Sequence, residues 1–249
     1  MGKVKCIISY DGTNYAGFQI QPKLRTVQGE LEKALTKIHK GEPIRIHPSG
    51  RTDAGVHAIG QVIHFESSLQ LQEENWLNAL NTFLPSDLVV RKVELVDDSF
   101  HARYSAVEKE YRYYVLNTKE KDIFRRHYIY QFPYPLVLEH MQEACHYLKG
   151  KHDFTTFSSA KATIKGSKIR TLKQVTCEVK DDKIEFIFKG DGFLYNMVRI
   201  IVGTLLDIGQ GKREPKDIKY LLEQKDRRLL GKTAPPQGLY LWNVIYNEK

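Results

Sequence analysis

Pro43-Ile44-Arg45-Ile46-His47-Pro48-Ser49-Gly50-Arg51-Thr52-Asp53-Ala54-Gly55-Val56-His57-Ala58-Ile59-Gly60-Gln61-Val62-Ile63-His64-Phe65 sets one carboxylate between a cation and two glycines, with an apolar alternating run on either side. Pro43 to Pro48 reads as a short strand and Gln61 to Phe65 as another, so Asp53 sits on a strand-to-strand loop. Gly50 and Gly55 open backbone conformations closed to other residues and let a bulky group approach the main chain. Arg51 favours an ionised carboxylate beside it. For an arbitrary Gly-Arg-x-Asp, a tight connection with a capping Asp and a solvated Arg is the more ordinary outcome.

Working outward, Lys3 to Tyr10 alternates as a strand that Asp11-Gly12 ends. Thr26 is placed to cap a helix whose apolar residues Val27, Leu31, Ala34, Leu35 and Ile38 share a face, and Gly41 stops it. After the two strands around Asp53 come a helix over Glu73 to Phe83 and a strand over Leu88 to Leu95. The order strand, helix, strand, strand, helix, strand is the split βαβ or ferredoxin-like arrangement. The second half repeats it with longer pieces: strand-like 103–116, helix 136–148, a hairpin from 174–179 and 183–188, an apolar helix 195–208, a short helix 215–222 and a closing strand 239–246. The expected class is therefore α+β, two ferredoxin-like or RRM-like halves with mainly antiparallel sheets, residues 1–100 and 101–249. No Gly/Ser linker divides them, which predicts intimate packing.

The 249 residues carry 41% hydrophobic side chains and a formal charge of +8, which excludes a disordered chain and favours a polyanionic partner. No apolar run reaches about 18 residues, so no membrane span is expected. A strand starts within a few residues of Met1 with no apolar signal core, and a cytoplasmic protein is expected. Cys6, Cys145 and Cys177 are far apart and form no Cys-x-x-Cys, and no His-Glu-x-x-His, phosphate-loop or dinucleotide motif occurs. No metal and no cofactor are expected. Basic residues cluster at Lys119, Lys121, Arg125, Arg126 and His127, at Lys161, Lys165, Lys168 and Arg170, and at Lys225, Arg227 and Arg228, as a nucleic acid backbone would require.

Ser49 to Ala58 resembles the catalytic loop of the tRNA pseudouridine synthase A family, Gly-Arg-Thr-Asp-x-Gly-Val-His-Ala. Further resemblances lie at Ser9 to Gln19, at Phe100-His101-Ala102-Arg103-Tyr104-Ser105-Ala106 continuing to Lys109-Glu110-Tyr111-Arg112-Tyr113, at His152 to Phe157, at Phe193 to Arg199 and at Gly238 to Leu241. The resemblance implies two α/β halves related by a pseudo-twofold, with a catalytic cleft between them. It also implies isomerisation of uridines 38, 39 and 40 in the tRNA anticodon stem-loop, by a homodimer without cofactor.

On that resemblance Asp53 is the essential carboxylate, attacking C1′ or removing a proton from C2′. Tyr111, which alternation alone would make a core aromatic, becomes a wall for the base and a candidate acceptor of the C5 proton. Arg199, off the apolar stripe of its helix, is implied to enter the cleft and pair with Asp53. Arg51 is a candidate to fill the space a flipped uridine leaves. His57 either touches phosphate or closes the loop, and for an isolated His the structural role is favoured. A rival reading is a non-catalytic RRM-like RNA-binding module, although no RNP signature is evident. A third, an Asp-dependent RNA hydrolase, lacks both metal ligands and a second acid.

Overall fold

The computed structural model describes residues 2–159 and 166–247. The chain divides into two compact units, Met1–Val107 with Tyr240–Lys249, and Glu108–Leu239.

In the first unit β1 (Gly2–Tyr10) lies between β3 (His57–Ser67) and β4 (Leu88–Val96), antiparallel to both. The other edge of β3 is shared. The short β2 (His47–Pro48) pairs antiparallel at its Ile63–His64 end, and β10 (Leu239–Tyr246) runs parallel at its start, with Tyr240 opposite His57 and Leu241 opposite Ala58. β4-β1-β3-β2 is the strand order of the split βαβ unit. Two helices, α1 (Val27–Ile38) and α2 (Glu73–Phe83), supply the covering layer. Along β1 the side chains Val4, Cys6, Ile8 and Tyr10 are buried while Lys5, Ile7 and Ser9 are half-exposed, the period of a strand with one covered face. Thr26 caps α1 as expected, its hydroxyl accepting the Gly29 amide at 3.2 Å. Phe65 of β3 meets Trp76 of α2 edge-on at 5.2 Å, which ties sheet to helix.

The second unit carries β5 (Ala106–Leu116), the hairpin β8 (Ile169–Lys180) and β9 (Lys183–Gly190), and the edge strand β7 (Gly150–Asp153), in the order β5-β9-β8-β7, all antiparallel. The two-residue β6 (Tyr130–Gln131) adds a parallel pairing to β5. Its helices are α3 (Leu138–Leu148), the almost wholly buried α4 (Met197–Gly209) and α5 (Asp217–Gln224). The mixed α/β, mainly antiparallel class expected from the sequence is the one observed. Among the described residues no helix is long and apolar enough to cross a membrane.

Departures from the sequence reading have local causes. The strand expected over 43–48 shrinks to His47–Pro48: Pro43 has no amide to donate, and the Ile46 amide donates to Glu32 Oε1 at 3.1 Å rather than to a ladder. β5 starts at Ala106 rather than Arg103, because residues 101–105 close on themselves: the Ser105 amide donates to the His101 carbonyl at 2.9 Å. α4 starts at Met197, after Asn196 at φ 61°. β6 and β7 were not expected at all; two and four residues are too few to show a period. The basic clusters are partly spent on acids: Arg125 pairs with Asp122 and Asp182 at 2.6 Å each, Lys225 with Asp153 at 3.2 Å and Arg228 with Asp226 at 2.8 Å. Lys161 and Lys165 lie outside the described residues.

Candidate active site

The loop between β2 and β3 is clamped along its length. At its start, the buried Gln61 side chain works as a staple: its Oε1 accepts from Ser49 Oγ (2.7 Å) and from the Val62 amide (3.1 Å), and its Nε2 donates to the Gly50 carbonyl (2.8 Å). Next, Thr52 is gripped twice by the connection leaving β1. Its Oγ1 shares a hydrogen with the Tyr10 hydroxyl at 2.7 Å, and its carbonyl accepts the Phe18 amide at 3.0 Å. Burial pushes the Tyr10 phenol up to about 12, so it stays protonated at neutral pH. Past Asp53, the Val56 amide donates back to the Asp53 carbonyl at 3.2 Å, and Gly55 donates to Tyr15 at 3.4 Å.

Two glycines of the β1–α1 connection let the backbones approach this closely. A Cβ on Gly12 would stand 2.1 Å from the Val56 carbonyl oxygen, and one on Gly17, which sits at φ +107°, would stand 3.1–3.4 Å from backbone atoms of Thr52, Asp53 and Ala54. Tyr15 is itself held by Asp87, which accepts from the Tyr15 hydroxyl and, at 2.7 and 2.8 Å, from both terminal nitrogens of Arg25. Those Arg25 bonds hold the Asp87 carboxyl below its usual range.

Asp53 is half-buried and Arg51 exposed, so the loop presents both while its backbone is fixed. His57 is only 2% exposed, takes the Gly12 amide on Nδ1 at 3.0 Å and stacks on Tyr240 at 4.7 Å. Its Nδ1 also lies 3.2 Å from Asp11 Oδ1. Tyr111 and Arg199 belong to the second unit. Tyr111 sits on β5 opposite Phe188, 9% exposed, with Phe193 edge-on at 4.9 Å. Arg199 lies in the first turn of α4, half-buried, where its Nε donates to the Ala234 carbonyl (2.7 Å) and its Nη1 to Asn196 Oδ1 (3.0 Å).

Sequence reasoning located the loop and missed its frame. Tyr10, Gly12, Tyr15, Gly17 and Phe18 all fall in the Ser9–Gln19 stretch, which stands out in the sequence, but nothing in its residue types says what it touches. Gln61 had no signal beyond being polar in an apolar strand.

A family model described as tRNA pseudouridine synthase matches residues 6–105 and 144–247. A curated protein named tRNA pseudouridine synthase A from Oceanobacillus iheyensis is 60% identical over 248 residues, 100% of this chain and 98% of that one. Its namesake in Geobacillus sp. is 55% identical, covering 98% of each chain, and tRNA pseudouridine synthase A 1 of Bacillus cereus is 56% identical over 99% of this chain and all of its own. Tyr111 falls between the two segments matched by the family model, and these relatives span it.

Proposed function

The chain belongs to the tRNA pseudouridine synthase family, and from that premise we propose that it isomerises uridine to pseudouridine in tRNA with Asp53 as the essential carboxylate. The reaction breaks the bond from N1 to C1′, turns the base, joins C5 to C1′, releases the C5 proton and returns one to N1. A single carboxylate held at a fixed place suffices to start it, either by attack at C1′ or by taking the C2′ proton. The observation that supports Asp53 is the frame around it: bonds from Gln61, Tyr10 and Phe18 hold the residues that precede it, and Asp53 itself stays half-buried. Geometry fixed in advance is what positioning catalysis requires.

Uridines 38, 39 and 40 of the anticodon stem-loop are the proposed targets, and a homodimer the proposed form. Each uridine must leave its stack to meet a loop-borne carboxylate. Exposed Arg51 is assigned to the space left behind, Tyr111 to the base and Arg199 to the RNA. The test uses tRNA tritiated at uridine C5. Wild type is expected to release label from intact strands, Asp53→Asn to bind tRNA but release none, and Arg51→Lys to lose turnover more than affinity. Full release by Asp53→Asn removes Asp53 from the chemistry. Tight binding with no release by wild type favours the RRM-like binding module instead.

A further inference from the structure

Phe100 to Ser105 follows β4 and folds into a turn built around one imidazole. His101 Nδ1 accepts the Arg103 amide at 3.1 Å and the Tyr104 amide at 3.4 Å, while its own amide donates to Ser105 Oγ at 3.0 Å. Its Nδ1 lone pair is therefore in use and the ring hydrogen sits on Nε2. Beneath the turn, buried His64 accepts the Ala102 amide on Nδ1 at 3.1 Å, Tyr246 donates to the Ala102 carbonyl at 2.7 Å, and Lys3 donates to the carbonyls of Asp98 and Phe100. The turn is anchored from three strands of the first unit.

Rings continue outward from that anchor. His47 stacks on His64 at 5.0 Å, His101 meets His64 edge-on at 4.7 Å and His47 at a tilt at 5.7 Å, and His101 lies against Tyr104 at 4.3 Å and 35°. Tyr104, the outermost, is 77% exposed. A lone exposed aromatic needs no explanation, but one that rests on a cluster of imidazoles built into an anchored turn is held out to solvent by construction. Among the described residues no group of His, Cys, Asp or Glu is arranged to hold a metal.

The surroundings are basic. The Arg103 guanidinium lies 5.8 Å from the Tyr104 ring, and exposed His47 of β2 follows exposed Arg45 by two residues. Burial, with the fields of His101, His47 and Lys3, lowers His64 to about 4, and burial, His47, Lys3 and Arg103 lower His101. His64 and His101 are therefore neutral at pH 7, beside the cations Lys3 and Arg103; Glu66, 3.6 Å from Lys3, offsets part of that charge. A flat neutral ring in a positive field fits a nucleobase and its phosphate. His64 pairs with Lys5 on β1, five residues from Tyr10, so the ring cluster lies about 17 Å along the strand from the end that holds the Thr52 hydroxyl, at about 3.3 Å per residue.

We propose that Tyr104, backed by His101 and flanked by Arg103, is a stacking platform for an unpaired base of the RNA substrate, about 17 Å along β1 from the Tyr10 end that holds the Asp53 loop. This rests on tRNA being the substrate. The platform grips the RNA away from the reacting uridine, so its loss weakens binding and leaves the chemical step alone.

Full-length protein carrying Asp53→Asn is titrated with tRNA, with and without Tyr104→Ala or Tyr104→Trp, alongside turnover of the single Tyr104 variants. Tyr104→Ala is expected to weaken binding roughly 5- to 150-fold and raise KM alike, with kcat at saturating tRNA within about twofold and Tyr104→Trp near wild type. Unchanged affinity in Tyr104→Ala overturns the platform. So does a change in sedimentation that accounts for the lost affinity, since a second copy of the chain would then cover Tyr104. The Asp53 assignment stands or falls separately, on turnover by Asp53→Asn, whatever Tyr104 does.

Discussion

Tyr10 and Thr52 are 42 residues apart in the chain and 2.7 Å apart at their hydroxyl oxygens. That bond fixes the residue immediately before Asp53, so its loss displaces the carboxylate without touching RNA. Tyr10→Phe and Thr52→Val are each expected to lower kcat about tenfold with KM for tRNA unchanged, and the double variant to lose little more than either single one. Steady-state kinetics on the four proteins checks this; additive losses would mean the two hydroxyls act separately. His64 gives a second test at this scale. Its folded value of about 4 lies below the ordinary imidazole value of 6.5, so between these pH values the unfolded chain binds more protons. The stability of the neutral ring is complete above pH 6.5 and is lost as pH falls toward 4, about 2 kcal/mol of it by pH 5. Urea midpoints should fall between pH 7 and pH 5 in wild type, and less steeply in His64→Gln; equal slopes would remove His64 as the cause.

At the scale of elements, the connection between β1 and α1 is a structural partner of the Asp53 loop rather than a spacer. Its backbone meets the loop at Gly12, whose missing side chain is what allows the contact: a Cβ there would lie 2.1 Å from Val56 O and 2.5 Å from Val56 C. Backbone cannot swing aside as a side chain can, so Gly12→Ala must move one of the two segments. The expected cost is about 1–3 kcal/mol, with lost turnover, read from the urea midpoint and the tritium assay together. A variant as stable and active as wild type would show that the segments part without consequence. The strands and helices themselves follow periods visible in the sequence. α2 and β10 fall at the residues expected, as each is a full run with one covered face. β6 was invisible since its two residues pair only because β5 stands alongside.

For the whole molecule, the sequence carried the α+β class, the position of the Asp53 loop between two strands and, through the resemblance of its motifs, the family that the comparisons bear out. These are local properties: alternation, helical spacing, a capping Thr, and a carboxylate between an Arg and two glycines are each readable within about a dozen residues. Charge was legible only as a total. The +8 is evident from composition, but which cations remain available depended on Asp182 reaching Arg125 and Asp153 reaching Lys225. Tertiary structure alone decided what surrounds Asp53, through Tyr10, Gly12, Phe18 and Gln61, and what raises Tyr104 into solvent on His101 and His64. Those contacts join residues tens of positions apart, and they depend on sheet register, where a shift of one residue turns every side chain to the opposite face.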